Sequence, residues 1–280
     1  MSNSNNDVVS VHRSFDLSGK VALVTGGTGL LGRHFCEGLA SAGASVAVVD
    51  LNAEMVLTFA AELQSRHRRK CIGIACDVAD PSSTERMVDE VVRELGQLDV
   101  THSNAATKTD DLAEFFAPLE SYSLETWRKV MAVNLDGMFL VARAAGCAME
   151  RAGRPGSIVL TSSIYGVVAP DPRIYEGSCY LGREINTPAV YATSKAGVLG
   201  LARHLAAHWA PKGIRVNVLT PGGVESGQNE TFKMNYGNRV PLGRMARAEE
   251  MVGALLFLVS DAASYITGQN VIVDGGLTAW

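Results

Sequence analysis

The stretch Val21-Ala-Leu-Val-Thr25, followed at once by Gly26-Gly-Thr-Gly-Leu-Leu-Gly32, decides the fold. The first five residues form a predicted strand, and the apolar pattern over residues 30–42 predicts a helix directly after the glycines. Glycines at such a turn let the backbone approach a ligand closely, and the amides and dipole of the helix N-terminus attract phosphate. Tight turns also need glycine for purely steric reasons, but the position between a first strand and a first helix favours dinucleotide binding.

The same alternation of apolar strand and amphipathic helix continues along the chain. The other predicted strands cover residues 45–49, 71–76, 98–103, 157–162, 214–219 and 270–273. The other predicted helices cover residues 53–67, 82–95, 124–151, 192–210 and 249–260. Near-continuous apolar strands suit a parallel sheet that is covered on both faces. We therefore expect a single α/β domain with a Rossmann-type, doubly wound parallel sheet of about seven strands and helices on both faces.

The domain organisation follows from where these patterns start and where they are interrupted. We expect a flexible N-terminal tail over residues 1–14 and one domain over residues 15–280. Two segments carry more loop character than an α/β unit needs, about 167–190 and about 222–245. Long irregular segments in a compact domain are usually binding loops, which predicts an active-site insertion at the first and a substrate loop at the second.

Composition limits the class of partner. Of the 280 residues, 47% are hydrophobic and 19% are charged, and the net charge of -4 argues against nucleic acid or an anionic membrane as a partner. The start of the chain does not resemble a leader, and we see no apolar run near the roughly 20 residues that cross a bilayer, so we expect a cytoplasmic protein acting on a small molecule. Five cysteines without C-x-x-C spacing predict buried thiols rather than disulfides or a metal site.

An acidic residue stands at the end of the second predicted strand. Asp50 follows Gly32 by eighteen positions, where a carboxylate can accept hydrogen bonds from the adenosine ribose and repels a 2′-phosphate. Leu51 and Asn52 come next, rather than Arg or Lys, so NAD is favoured and NADP is the lesser expectation. Asp50 or Asn52 could instead cap the following helix. Asp77, at the end of the third strand, is a candidate for the adenine edge.

A phenol and an ammonium group are spaced for acid–base chemistry. Tyr191 and Lys195 lie four residues apart in Tyr191-Ala-Thr-Ser-Lys195, which places them on one face of a predicted helix. A phenol with a pKa near 10 is a poor base at neutral pH, and a neighbouring cation favours its phenolate form. Read alone, such a pair is usually ordinary helix surface.

With their neighbours, these residues identify a family. The chain resembles the single-domain branch of the short-chain dehydrogenase/reductase family over about residues 15–276. The matching landmarks are Thr25-Gly26 to Gly32, Asp77, Asn104-Ala-Ala106, Asn134, Ser162-Ser163 to Gly166, Tyr191 with Lys195, Arg215-Val-Asn-Val-Leu-Thr-Pro221-Gly222, and Ile266-Thr-Gly268 to Val273-Asp-Gly-Gly276. Their shared order and spacing are very specific.

The resemblance implies a role for each matching residue. Tyr191 is expected to exchange a proton with the substrate oxygen, Lys195 to lower the pKa of Tyr191 and bind the nicotinamide ribose, Ser163 to bind the substrate oxygen, and Asn134 to hold a water. The residues expected to contact the cofactor are Gly26, Thr28, Gly29, Leu30, Leu31, Gly32, Asp50, Leu51, Asp77, Val78, Asn104, Ala105, Ala106, Tyr191, Lys195, Pro221, Gly222 and Val224. The family also implies a homo-oligomer, a tetramer or a dimer.

Departures from the family pattern leave the substrate and one alternative open. Gly29 and Leu30 give the T-G-x-x-G-x-x-G spacing of the extended branch, whose nucleotide-sugar epimerases and dehydratases are one alternative; a non-catalytic dinucleotide sensor is another. The segment from Ser163 to Tyr191 is longer than usual and polar, so Arg173 and Arg183 are candidates to bind substrate. The chain most resembles reductases of sugar and nonulosonic-acid (flagellin-modification) pathways. We therefore expect hydride transfer between a nicotinamide cofactor and a secondary alcohol or ketone, on a polar or sugar-derived substrate.

Overall fold

A computed structural model of the protein describes residues 10–180 and 182–280, without the side chains of residues 180 and 183. The strands of this described part are β1 (Val21–Thr25), β2 (Ser45–Asp50), β3 (Cys71–Ala75), β4 (Val100–Ser103), β5 (Gly156–Thr161), β6 (Cys179–Tyr180), β7 (Arg183–Glu184), β8 (Ile214–Pro221) and β9 (Asn270–Val273). Its α-helices are α1 (Val11–Ser14), α2 (Leu30–Ser41), α3 (Ala53–His67), α4 (Pro81–Leu95), α5 (Leu112–Phe115), α6 (Leu124–Met131), α7 (Gly137–Arg151), α8 (Ala189–Trp209), α9 (Glu230–Gly237) and α10 (Val252–Val259).

Seven strands form one parallel sheet in the order β3-β2-β1-β4-β5-β8-β9. The strand order reverses direction between β1 and β4, which opens a crevice at the carboxyl ends of these strands. This confirms the predicted doubly wound α/β fold. All five residues of β1 are buried, as expected for a strand covered on both faces.

Alternate residues of the central strands enter two separate cores. Leu23 and Val49 belong to the core on one face of the sheet, whereas Val24 and Val48 belong to the core on the other face. The period of two in a strand thus puts apolar side chains on both faces, which accounts for the continuous apolar runs in the sequence. The two cores hold the strand ends in place below the candidate site.

The helix predicted over residues 124–151 contains an irregular turn. A π-helical segment, Ala132–Asp136, joins α6 to α7 without a break. Among the described residues, the run Leu124–Arg151 is the one helix long and apolar enough to span a bilayer, and half of its most apolar window is buried in the structure. The expectation that no apolar run comes near this length is therefore wrong.

Short elements occur where the sequence predicted loops. Residues 1–9 of the expected tail lie outside the described part, and Val11–Ser14 form one exposed helical turn. The segment 167–190 contains a 3-10 turn, Pro172–Tyr175, and the antiparallel hairpin β6–β7, while 222–245 contains α9. A third, smaller core joins these two segments; its buried members are Ile164, Ile174, Phe232, Tyr236, Val240, Met245 and Leu277.

Candidate active site

The glycine turn after β1 is fixed by close backbone contacts. Gly26 has φ +64°, a conformation that favours glycine, and a Cβ there would lie 2.9 Å from the Cα of Ala105. A Cβ at Gly32 would lie 2.0 Å from the carbonyl oxygen of Gly26, so a side chain at this position is sterically excluded. Gly29 is the N-cap of α2, and a Cβ there would meet the same oxygen at 3.3 Å.

This turn fits a dinucleotide. Leu30 is the first residue of α2 and is exposed, and Leu31 follows in the first turn, so the helix N-terminus faces solvent rather than protein. Its first amides are therefore accessible to a pyrophosphate. In this chain a glycine stands at position 29 rather than at position 30, yet α2 still begins regularly at Leu30. The helix N-terminus therefore keeps the geometry that an anion site needs.

Asp50 is held in place beside the glycine turn. Its carboxylate accepts hydrogen bonds from the amide and hydroxyl of Thr28, at 3.1 and 2.6 Å, and from the amide of Leu51 at 2.9 Å. The helix cap is a different residue, because the side chain of Asn52 accepts from the amide of Met55. Asp50 therefore does not serve as the cap of α3, and its partly exposed carboxylate sits at the end of β2, next to the turn.

The wall of the crevice beyond β4 is tied to β1. The hydroxyl of Thr25 accepts from the amides of Asn104 and Ala105, at 3.0 and 3.2 Å, and Ala106 follows as an exposed residue. These bonds hold residues 104–106 against Gly26, in line with the predicted cofactor wall.

Asp77 and Val78 lie beyond the end of β3. Asp77 is exposed, and its carboxylate accepts from the amide of Ala79 at 2.9 Å. Val78 is buried, and its side chain lies where a Cβ on Gly137 would come within 2.9 Å. Asp77 thus remains available to a ligand at the crevice, while Val78 packs beneath it against α7.

Ser163, Tyr191 and Lys195 come together at the carboxyl end of β5. Tyr191 and Lys195 occupy the first two turns of α8, which begins at Ala189 rather than at residue 192. The Nζ of Lys195 lies 6.0 Å from the centre of the Tyr191 ring and donates to the carbonyl of Thr161 at 3.0 Å. Ser163 and Tyr191 line the same cavity, and the hydroxyl of Ser163 acts to lower the pKa of the Tyr191 phenol.

Burial controls the ionisation of this group. Burial raises the pKa of Tyr191, and the hydroxyl of Ser163 only partly opposes this effect. Burial also lowers the pKa of Lys195 to about 8. Desolvation is the main influence on the pKa of Tyr191 here, while the ammonium group of Lys195 is bound to Thr161; the expected effect of Lys195 on Tyr191 stays a prediction.

Ser162 and Gly166, on either side of Ser163, connect the turn after β5 to α8, the helix that carries Tyr191 and Lys195. The hydroxyl of Ser162 donates to the carbonyl of Lys195 at 2.7 Å. Gly166 approaches the same backbone so closely that a Cβ would lie 2.6 Å from the carbonyl carbon of Lys195. The short turn after β5 and helix α8 are thereby fixed together, which sets the distance between Ser163 and Tyr191.

Asn134 lies in the π-helical turn and is completely buried. Its Oδ1 accepts from the amide of Thr107 at 2.8 Å. Single π turns inside α-helices are frequent at functional sites. The side chain therefore joins the crevice wall after β4 to the long helix. The expected role of Asn134 in holding a water stays a prediction.

His102 is a buried neutral histidine, as its place in a strand predicts. Its Nε2 is paired with the Oγ1 of Thr161 at 2.7 Å, and its ring packs edge-on against Phe35 at 4.5 Å. Burial lowers the pKa of His102 to about 3. The same Thr161 supplies the carbonyl that binds Lys195, so His102 supports the strand end that positions the ammonium group.

A cavity of about 280 Å³ opens in front of Ser163 and Tyr191. Its walls come from three segments: the chain after β4, the insertion before α8, and the chain after β8. The lining residues are Lys108, Phe115, Phe116, Ser163, Ile164, Tyr165, Tyr175, Ile185, Asn186, Thr187, Pro188, Tyr191, Gly222, Gly223, Val224, Ser226, Gln228, Phe232, Tyr236 and Met245. Pro221, the last residue of β8, leads directly into this wall.

The insertion reaches the cavity, but not through its arginines. Arg173 is exposed and forms a two-pronged ion pair with Asp171, at 2.9 and 2.8 Å, so it does not line the cavity. A nearby carboxylate thus holds Arg173 at the surface, and its expected contact with the substrate stays a prediction. The side chain of Arg183 lies outside the described residues, and its backbone belongs to the hairpin.

Uncharged residues of the insertion form the cavity wall instead. The Nδ2 of Asn186 donates to the carbonyl of Phe116 at 2.9 Å, while its buried Oδ1 has no hydrogen-bond partner among the described residues. The hydroxyl groups of Tyr175 and Thr187 are hydrogen-bonded to each other. Sequence reasoning missed Asn186 and Lys108, because an isolated Asn or Lys in a loop has no pattern that indicates which way it faces.

Comparison with known proteins agrees with this geometry. A family model described as "Enoyl-(Acyl carrier protein) reductase" matches residues 29–278. The chain is 37% identical to D-threitol dehydrogenase of Mycolicibacterium smegmatis over 96% of its own length and 97% of that protein. It also matches the crystal structure of a short-chain type dehydrogenase/reductase from Mycobacterium marinum, with a TM-score of 0.83, 33% identity and coverage of 97% and 100%.

The chain belongs to the short-chain dehydrogenase/reductase family. A further match is the crystal structure of a gluconate 5-dehydrogenase from Burkholderia cenocepacia in complex with NADP and tartrate, with a TM-score of 0.85, 31% identity and coverage of 97% and 100%. This short-chain dehydrogenase/reductase is an oxidoreductase that uses a nicotinamide dinucleotide to interconvert an alcohol and a ketone. The family resemblance seen in its motifs is confirmed.

Proposed function

We propose that the protein is an NAD-dependent dehydrogenase or ketone reductase of polyols, ketoses or related sugar derivatives. The observation that carries this proposal is the cavity in front of Ser163 and Tyr191, whose wall offers uncharged polar groups from Asn186, Thr187, Ser226 and Gln228. Sites built to bind hydroxyl groups need such paired donors and acceptors. The names of two relatives, a threitol dehydrogenase and a gluconate 5-dehydrogenase, point in the same direction.

The chain's own residues supply proton transfer and positioning. Ser163 and Tyr191 bind the substrate oxygen, and Tyr191 donates a proton to a carbonyl or accepts one from an alcohol. Because burial raises the pKa of Tyr191, the phenol is protonated at neutral pH, which is the form needed to donate to a carbonyl oxygen. Lys195 binds a ribose hydroxyl and supports the ionised phenol when it forms. A bound nicotinamide supplies or accepts the hydride.

The preference for NAD is argued from Asp50. Its carboxylate is fixed by Thr28 and Leu51 beside the glycine turn, where it can bind ribose hydroxyls and repel a 2′-phosphate. No Arg or Lys directly follows it in the sequence. The gluconate 5-dehydrogenase relative is bound to NADP, so cofactor choice is the part of the proposal that the experiment must decide.

The first experiment follows NADH or NADPH absorbance with the purified protein. The panel comprises threitol, arabinitol, sorbitol, gluconate, a steroid alcohol and a simple secondary alcohol, each with NAD and with NADP. We expect turnover with a sugar-derived substrate and a higher kcat/KM with NAD than with NADP. Activity confined to apolar alcohols would contradict the substrate class, and equal or better use of NADP would contradict the cofactor assignment.

The same experiment separates this proposal from the two alternatives. A nucleotide-sugar epimerase would change its substrate without net formation of NADH, and a dinucleotide sensor would bind NAD without turnover of any substrate. The epimerase alternative depends on the glycine spacing, which here still gives a regular start to α2. A cytoplasmic location, assembly into a dimer or tetramer, and a link to nonulosonic-acid pathways stay predictions.

A further inference from the structure

One side chain in the described cavity wall is basic. Among the described lining residues, Lys108 is the single lysine or arginine, and none is an aspartate or glutamate. The lining therefore carries a charge of +1 when Lys108 is protonated, whereas the whole chain carries -4. A cavity of opposite sign to the rest of the protein concentrates anions of its own size.

Lys108 lies on the segment after β4, which hydrogen bonds to other residues of the site hold in place. The chain reaches it from residues 104–106, which are bonded to Thr25, and the amide of Thr107 donates to the buried Asn134. Further along the same segment, the carbonyl of Phe116 accepts from Asn186 of the insertion. Lys108 thus lies between two anchored points, on the wall shared by the cofactor crevice and the insertion.

Resting on the proposed function, we propose that Lys108 binds a carboxylate at one end of the substrate, so that the preferred substrate is a sugar acid rather than a neutral polyol. Ser163 and Tyr191 hold the reacting oxygen, and Lys108 meets the acidic end of the same chain. The two contacts fix which carbon of a polyhydroxylated chain faces the nicotinamide.

The charge and size of the cavity favour a carboxylate over a phosphate. A phosphate monoester carries about -1.5 to -2 at neutral pH and is usually met by several donors or by arginine. The described lining offers one ammonium group and no guanidinium, which matches the single charge of a carboxylate. A volume of about 280 Å³ lies at the lower end of small-molecule sites, near 300 to 1,000 Å³, and suits a short sugar acid.

The ionisation of Lys108 gives the proposal a second readout. Although much of this side chain is exposed, the protein around it lowers the pKa of its ammonium group by desolvation. A bound carboxylate favours the charged form, so the affinity for an acid substrate falls as pH rises through the pKa of Lys108. A neutral substrate lacks this dependence. Within the described lining, only the tyrosines can titrate with it, and burial raises the pKa values of Tyr165, Tyr175, Tyr191 and Tyr236.

The test compares three substrates that share one carbon skeleton: gluconate, its neutral amide gluconamide, and sorbitol. We expect kcat/KM for gluconate to exceed that for gluconamide by about tenfold or more, mainly through KM, since hydrogen bonds to a charged group contribute about 1.5 to 3 kcal/mol. In Lys108→Met this ratio should fall to near one. Lys108→Arg should keep most of it, and Lys129→Met, which removes an exposed lysine paired with Glu125, should leave it unchanged.

The outcomes separate this inference from the proposed function. Turnover of sorbitol and gluconamide at the same efficiency as gluconate would overturn the carboxylate assignment and leave the sugar dehydrogenase in place. Activity on sorbitol 6-phosphate without activity on gluconate would overturn it in favour of a phosphate. An unchanged ratio in Lys108→Met would overturn the role of this residue. Absence of turnover with every sugar-derived substrate would instead contradict the proposed function itself.

Discussion

The dinucleotide side of the molecule and the substrate side are held together by different kinds of contact. On the dinucleotide side, backbones approach closely: a side chain on Gly26 would meet the backbone of Ala105, and a side chain on Gly32 would meet the backbone of Gly26. On the substrate side, three separate segments meet through side chains, such as Asn186 on Phe116 and the small core around Ile174 and Phe232. Backbone contacts leave a glycine pattern in the sequence, whereas side-chain contacts between loops leave none.

The largest expected effect is a loss of NADH affinity from a change on the dinucleotide side. Gly32→Ala puts a Cβ within 2.0 Å of the carbonyl oxygen of Gly26, so the turn and the start of α2 must move apart. We expect a loss of NADH affinity of about 100-fold, the upper end for a packing conflict of this kind. Gly253→Ala is the control, since Gly253 lies exposed in α10, a Cβ there would meet nothing within 4 Å, and the change should alter the affinity less than about threefold. Similar effects in the two variants, measured by fluorescence titration, would contradict the assignment of close contact to Gly32.

The next effect is on the free energy of unfolding and comes from His102 in β4. Burial lowers the pKa of His102 to about 3, so the folded protein stays unprotonated here while the unfolded chain takes up a proton below about pH 6.5. The free energy of unfolding should therefore fall with decreasing pH between 6.5 and 3, by about 1.4 kcal/mol per pH unit from this residue.

Urea unfolding at pH 7 and pH 5 measures this contribution. His102→Gln should lose about 2 kcal/mol less than the wild type over that interval, which corresponds to about 30-fold in the folding constant. His204→Gln changes an exposed histidine and should behave as the wild type. An equal loss in wild type and His102→Gln would show that His102 is not the group that titrates.

A smaller effect concerns cofactor choice. Asp50→Ala removes the carboxylate held by Thr28 and the charge that repels a 2′-phosphate. The ratio of kcat/KM for NAD to that for NADP should fall by about tenfold or more, as expected for hydrogen bonds to a charged group. Asn52→Ala removes the true cap of α3, and should lower stability without changing the ratio. An unchanged ratio in Asp50→Ala would contradict the assignment of the NAD preference to Asp50.

The smallest effects sharpen the description of the substrate side. Asn186→Ala removes a side chain that joins the insertion to Phe116 and offers a buried acceptor to the cavity, so KM for the sugar substrate should rise by about fivefold to tenfold. Arg173→Ala removes an exposed cation paired with Asp171 and should change kcat/KM less than about twofold. A larger kinetic effect from Arg173→Ala than from Asn186→Ala would show that Arg173 rather than Asn186 acts on the substrate.

The contrast between the two sides also explains what the sequence could predict. Continuous apolar strands and the glycine turn indicated the sheet, its parallel order and the dinucleotide site, because period and backbone sterics are local properties. Tyr191, Lys195 and Ser163 followed from spacing and family resemblance. The cavity wall did not: whether Arg173 or Asn186 faces the substrate depends on Asp171 and Phe116, which are close in space through the fold rather than through any repeating pattern.

The sequence also left the electrostatics of the candidate site undetermined. Four-residue spacing placed Lys195 beside Tyr191, but the sequence does not show that the ammonium group binds Thr161 or that burial dominates both pKa values. Desolvation depends on how many atoms surround a group, and for Tyr191 some of those atoms come from Phe115 and Val130, which are distant in the sequence. Charge spacing alone therefore does not determine the direction in which the pKa of Tyr191 shifts.

If the dinucleotide side binds the cofactor and the substrate side carries out the reaction, Tyr191→Phe should abolish the reaction without affecting cofactor binding. NADH affinity and turnover of the best sugar substrate are measured in parallel, with Tyr265→Phe, a fully exposed tyrosine, as the control. We expect turnover to fall by about 100-fold or more in Tyr191→Phe, as for removal of a general acid–base, while NADH affinity stays within about twofold of wild type. Turnover equal to that of the control, or loss of NADH binding together with activity, would contradict this expectation.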